Sequence, residues 1–184
     1  MCLMHYFITD CVINFNAMKH TVATLWHLGK GICIKELGSS LFMFQFFHEV
    51  DVSRVVDLSP WSFDQHLLLF KRLNSNEQPT NVQLFHTLMW VQLHALPLGF
   101  MLERMASTIG NFIGGFVEAD SSNYFSISRS YMRIRVCIDV QLALKRHLKI
   151  NKAGRDWVWV TFKYECLSTF CFICGKLGHF ERFV

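Results

Sequence analysis

Tyr131-Met132-Arg133-Ile134-Arg135-Val136-Cys137-Ile138-Asp139-Val140 alternates in character along its length. Met132, Ile134, Val136, Ile138 and Val140 fall on one face and Tyr131, Arg133 and Arg135 on the other, the two-residue period of a half-buried strand. Such a strand needs a sheet beside it and a layer beneath it. The surrounding sequence mixes two-residue and helical periods, so the fold class is α+β.

Downstream and immediately upstream the pattern continues. Strands are expected at 89–93, 116–119 and 157–164, and a helix at 101–113 carries Leu102, Met105, Ile109, Phe112 and Ile113 along one side. In the last strand Val158, Val160, Phe162 and Tyr164 alternate with Trp157, Trp159, Thr161 and Lys163. Together these segments read as an irregular second α+β half.

The first half begins with a short strand at 6–8. A helix follows, capped by Asn14 or Asn16, with Met18, Val22, Leu25 and Trp26 at helical spacing and Gly29 as its stop. Strands at 32–37 and 41–47 are joined by Gly38-Ser39-Ser40. A helix at 51–57 turns Val52, Val55 and Val56 inward, and a strand at 66–70 closes the set. The resulting β-α-β-β-α-β order is ferredoxin-like, the arrangement of RRM-like RNA-recognition modules. Phe42, Phe44 and Phe46 lack the basic-Gly-aromatic lead-in of a base-stacking strand and read as core. The polar segment 74–81, with Pro79, marks a boundary. The expected division is 1–73, a ferredoxin-like unit; 82–165, a second α+β unit with a basic strand and loop; and 170–184, a zinc knuckle.

The chain of 184 residues has 52% hydrophobic residues, which excludes general disorder. The uncharged stretch 78–102 contains Gln83, His86, Gln92, His94 and Pro97, so no membrane span is expected there. Residues 1–15 have no basic n-region, which argues against a secretory signal and for an intracellular protein, nuclear or cytoplasmic. Seven cysteines, an odd number with only three clustered, are not a disulfide framework. Cys33 and Cys137 lie in strand-like alternations, where a free cysteine serves as a small apolar residue. Paired carboxylates, a nucleophile with its base and a phosphate-binding glycine loop are all missing from the sequence, so a non-enzymatic protein is expected.

The net charge of +4 is unevenly placed. Between residues 129 and 155, Arg129, Arg133, Arg135, Lys145, Arg146, Lys149, Lys152 and Arg155 stand against the single acid Asp139. Tyr131 beside Arg133 and Arg135 on an open sheet face could stack bases and hold phosphates, and Lys145, Arg146 and Lys149 in a neighbouring basic loop would add phosphate contacts. A solvated strand face and a basic loop that only confers solubility are the plain alternatives.

The C-terminal segment reads Phe170-Cys171-Phe172-Ile173-Cys174-Gly175-Lys176-Leu177-Gly178-His179-Phe180-Glu181-Arg182-Phe183-Val184. Cys171, Cys174 and His179 satisfy C-x2-C-x4-H. Two thiolates can grip one Zn2+ from a tight turn while Gly175 and Gly178 let the backbone fold back to bring the imidazole. A zinc knuckle has one further cysteine ligand five residues after the histidine, where this chain has Val184. Zn2+ is therefore expected to bind weakly or to be lost, unless Cys166 or the carboxylate of Val184 completes the set. A redox dithiol would need a helix starting at the cysteines, and Gly175-Lys176-Leu177-Gly178 is a poor helix start.

At these residues the chain resembles a plant family in which a domain of unknown function precedes a C-x2-C-x4-H-x4-C (CCHC-type) zinc knuckle, commonly in retroelement-derived proteins. The resemblance runs through residues 13–19, 41–46, 59–63, 90–94, 96–98, 132–136, 162–165 and 170–179 in order. It implies binding of RNA or single-stranded DNA and of zinc, as in the gag-like part of a retrotransposon, and a chain ending at Val184 would be a truncated copy. Cys171, Cys174 and His179 carry over as zinc ligands, and Phe172, Lys176 and Phe180 would contact bases and phosphates. The rival expectation is a degenerate protein-interaction or structural remnant, with self-association through its apolar surface and no metal or nucleic acid.

Overall fold

The computed structural model describes the chain apart from residues 10, 39, 74–76, 79–81, 125–129, 152–155 and 182–184. Ser39 of the hairpin loop, most of the 74–81 boundary, Arg129, Lys152, Arg155 and Val184 therefore lie outside the described residues. The protein is α+β, with two five-stranded antiparallel sheets and three α-helices among the described residues. It divides into two compact units: Met1–His86 with Ser168–Ile173 and Leu177–Val184, and Thr87–Leu167 with Cys174–Lys176. No helix among the described residues is long and apolar enough to cross a membrane.

The first unit runs β1 (Cys2–Phe7), α1 (Phe15–Trp26), β2 (Ile32–Gly38), β3 (Leu41–Phe46), α2 (Glu49–Asp57), β4 (Trp61–Phe63) and β5 (His66–Arg72). Its sheet order is β2-β3-β1-β5-β4, antiparallel at every pairing. Asn14 starts α1 by accepting the Ala17 N–H at 3.1 Å. The helix stops at His27, which takes the left-handed conformation with φ 45°, rather than at Gly29. Met18, Val22 and Trp26 of α1 and Val52 and Val55 of α2 pack with Leu3, Phe7, Phe42, Phe44 and Phe46 into one core. The phenylalanine stripe is core, as its sequence context implied. Leu25, expected inward, is exposed.

His5 points into the same core, wholly buried, its ring stacked on Phe44 with centroids 3.8 Å apart. Neither ring nitrogen has a hydrogen-bond partner among the described residues. Burial pushes its pKa down to about 3, so the ring is neutral at neutral pH.

The second unit is more regular than its sequence suggested. It contains β6 (His86–His94), α3 (Glu103–Ile113), β7 (Gly115–Ala119), β8 (Tyr131–Asp139), β9 (His147–Ile150) and β10 (Val158–Tyr164), with sheet order β7-β8-β6-β10-β9. The basic loop expected at 141–150 ends instead in β9, an edge strand paired antiparallel with β10. Met89, Val91 and Leu93 of β6, Met132, Ile134 and Val136 of β8 and Val160 of β10 are fully buried on one face, as are Ala106 and Ile109 of α3. Gly110 lies on α3 where a Cβ would press against the Phe116 ring, at 2.9 Å from its Cβ, which lets helix and β7 close tightly. Leu102 and Phe112, expected on the inner side of the helix, are exposed. Of the two strand cysteines, Cys137 is half-buried and Cys33 exposed, so only the former fits the small-apolar role.

Candidate metal and nucleic-acid sites

The segment 168–181 is a compact turn closed by backbone hydrogen bonds. Phe170 and Leu177 form an antiparallel bridge, and Gly178 N donates to Thr169 O at 2.9 Å. The turn needs Gly175 and Gly178 at φ 77° and 92°, values a side chain strongly disfavours. Phe172 N donates to Glu181 Oε1 at 3.1 Å, tying the two arms together. This fold-back gathers Cys171 Sγ, Cys174 Sγ and a His179 ring nitrogen within 4.8 Å of one another. Tetrahedral zinc, with Zn–S about 2.3 Å and Zn–N about 2.0 Å, requires ligand separations of roughly 3.3–3.8 Å. A contraction of about 1 Å thus turns the group into three-quarters of a zinc shell. Two soft thiolates and an imidazole are also the donor set that Zn2+ prefers. Cys166 is exposed and does not belong to the group. Phe172 and Phe180 are exposed on this turn, and Lys176 is exposed between them.

The basic strand face differs from the open platform that its sequence implied. Arg133 donates from Nε and Nη2 to both Glu165 carboxylate oxygens at 2.9–3.1 Å, and from Nη1 to Asp120 Oδ2 at 3.0 Å. Its guanidinium lies 3.7 Å from the centroid of the Trp90 ring. Gln92 Nε2 donates to Glu165 Oε1 at 2.9 Å, and Gln92 Oε1 lies 3.0 Å from His94 Nε2. The hydrogen bonds from Arg133, joined by that from Gln92, hold the Glu165 carboxyl below its ordinary pKa. Arg135, only 5% exposed, pairs with Glu118 at 3.2 Å. Tyr131 is half-buried, its ring centroid 5.1 Å from that of His94. The three residues do share a face, but the two guanidiniums are engaged by carboxylates rather than presented to solvent.

Of the remaining basic candidates, Lys145 is exposed but donates to Phe112 O and sits 4.1 Å from the Phe112 ring centroid. Arg146 is exposed on the chain leading into β9. Lys149, on β9, places Nζ 5.4 Å and 5.6 Å from the ring centroids of Trp157 and Trp159. Trp90, Asp120 and Glu165 were not among the sequence candidates, nor were Trp157 and Trp159. The parity of Trp90-Val91-Gln92-Leu93-His94 was the available signal for a polar and aromatic face; the pairing of Arg133 with acids 13 and 32 residues away had none.

Residues 1–81 match the family described as a domain of unknown function (DUF4283), and residues 138–184 match the zinc knuckle family. The chain is a DUF4283 domain followed by a zinc knuckle. It is also similar to a plant protein, "Uncharacterized protein At4g02000" of Arabidopsis thaliana, at 23% identity over 134 residues. That alignment covers 71% of this chain and 41% of the relative, so the chain spans about two fifths of that protein's length. The DUF4283 match covers nearly all of the first unit's main body, and the knuckle match begins at the end of β8 and takes in β9 and β10 as well as the cysteine turn.

Proposed function

We propose that this DUF4283 and zinc-knuckle protein binds single-stranded RNA or DNA without catalysing a reaction, and that its knuckle holds zinc weakly. The observation that carries the proposal is the convergence of Cys171, Cys174 and His179 within 4.8 Å on a glycine turn bearing exposed Phe172 and Phe180. Zinc would stiffen that turn, and the two rings could then stack on unpaired bases while Lys176 meets a phosphate. Position 184, where the knuckle pattern supplies a fourth ligand, is Val184. A three-ligand site lacks one thiolate of charge and one bond, which accounts for the weak binding assigned to it.

The strand order β2-β3-β1-β5, antiparallel throughout with α1 and α2 packed into one core, supports reading the first unit as ferredoxin-like. On this reading the protein has a retroelement-derived, gag-like role inside the cell, in nucleus or cytoplasm, for which the nucleic-acid-binding character of the knuckle is the support. The division 1–73, 82–165 and 170–184 is the working set of boundaries.

The test is fluorescence anisotropy of a labelled, unstructured RNA against purified protein over a salt series, with zinc quantified in the same sample. Binding whose log affinity falls linearly with log salt is the expected result. Absence of binding at low salt, in zinc-supplemented protein, would overturn the proposal.

A further inference from the structure

On the second sheet, strand parity and register put β10 residues Trp159, Thr161 and Lys163 on the same face as His147 and Lys149 of β9 and Gln92 and His94 of β6. Near β6 this face is internally satisfied: the Trp90 ring is covered by Arg133, and Arg133 is neutralised by Asp120 and Glu165. Toward the β9 edge it is not. Trp157 is 59% and Trp159 52% exposed, unusual for the largest apolar side chains. The Trp159 ring is set edge-on by His147, at a centroid distance of 4.9 Å and an interplanar angle of 82°. Lys149 Nζ sits within 5.6 Å of both indole centroids. Among the described residues no acid pairs with Lys149 or Lys163. The charge of Lys163 is felt by His94, whose pKa is lowered by burial and then by that lysine.

From this arrangement we infer a second nucleic-acid contact site, distinct from the knuckle, in which Trp157 and Trp159 stack two bases of a single strand and Lys149 and Lys163 hold its phosphates. Two indoles two residues apart along one extended chain stand about 6.6 Å apart, on one side, with a cation shared between them. That is the composition of a single-strand platform, in which every base offers a π-face and every linkage a negative charge. Exposed apolar rings alone would suit several partners. The unneutralised lysines beside them select a polyanion with flat apolar groups. The corresponding face of the first sheet carries Lys35 and Lys71 but no indole beside them: Met4, Met43, Leu67 and Leu69 share it, with Tyr6 as the aromatic, and Lys71 is paired with Glu77.

This inference rests on the nucleic-acid reading above, and the experiment separates the two. Full-length wild type, Trp157→Ala/Trp159→Ala, Trp159→Phe and Lys149→Gln are titrated with an unstructured oligo-uridine and the matching oligo-thymidine, following anisotropy and tryptophan quenching. Zinc content and the thermal transition are measured on each. The double alanine variant is expected to lose at least about ten-fold in affinity for both oligonucleotides, with zinc and melting unchanged. Trp159→Phe keeps most of the affinity because a ring remains, and Lys149→Gln lowers the salt slope by about one. Wild-type binding that the double alanine variant retains undiminished would overturn this site while leaving the protein a nucleic-acid binder through its knuckle. Wild type that binds neither oligonucleotide would overturn both.

Discussion

The two units carry sheets of equal size and equal sense of pairing, yet they use the face away from the buried core differently. In the first, Met4, Leu67 and Leu69 are buried there, and the aromatic content of the unit is spent on the core through Phe42, Phe44, Phe46 and Trp26. In the second, the core is mainly aliphatic, built of Met89, Val91, Leu93, Ile134 and Val136, with Phe162 its buried ring. The indoles Trp90, Trp157 and Trp159 are turned toward the charged face. A shared architecture therefore says little about where a ligand goes; the chemistry of the outward side chains decides it.

The largest way to break this contrast is Phe44→Ala. Truncating a fully buried ring leaves a cavity and should cost about 3–5 kcal/mol in urea denaturation. A cost near that of an exposed site would mean the aromatic core of the first unit is not packed as described. Next is Arg133→Ala, which strands Glu165 and Asp120 without their cation. Because these groups are partly exposed, the expected cost is about 2 kcal/mol at neutral pH. The sign with pH is defined: the Glu165 pKa is held down in the folded protein, so its stabilisation is present above the ordinary carboxylate range and lost as pH falls through it. The Arg133→Ala variant should accordingly show a flatter acid limb in a melting series from neutral to acid pH.

His5 sharpens the comparison from the other side, as a polar group placed in the aromatic core without a partner. Its pKa is depressed from 6.5 to about 3, so the unfolded chain takes up a proton that the folded one refuses. Stability should decline as pH falls from 6.5 toward 3, and His5→Leu should remove that decline and stabilise the protein by about 1–2 kcal/mol at neutral pH. A destabilised His5→Leu, by chemical denaturation, would indicate that the ring has a partner. The smallest effect is Trp159→Ala, an exposed change expected to alter stability by no more than about 0.5 kcal/mol while weakening nucleic-acid binding.

Much of this was legible in sequence because its causes are local. Asn14 caps α1, the phenylalanine alternation of β3 turns inward, and Cys171, Cys174 and His179 meet, all within a dozen residues of chain. What escaped was non-local. His147-Leu148-Lys149-Ile150 is short and half polar, and becomes a strand only because β10 pairs with it. The helix stop moved from Gly29 to His27 because the required left-handed residue came two positions earlier, at a histidine, one of the few non-glycine side chains that enter that region comparatively often. The basic face was read correctly as a face and wrongly as open, since the acids that neutralise Arg133 come from other parts of the fold.

Zinc stoichiometry and RNA affinity, measured on one preparation each of wild type and Val184→Cys, decide whether the protein is a nucleic-acid binder whose knuckle is weakened at position 184. Substoichiometric zinc is expected in wild type, near-stoichiometric zinc in the variant, and tighter RNA binding with the added metal. Equal zinc and equal affinity in the two proteins would contradict it.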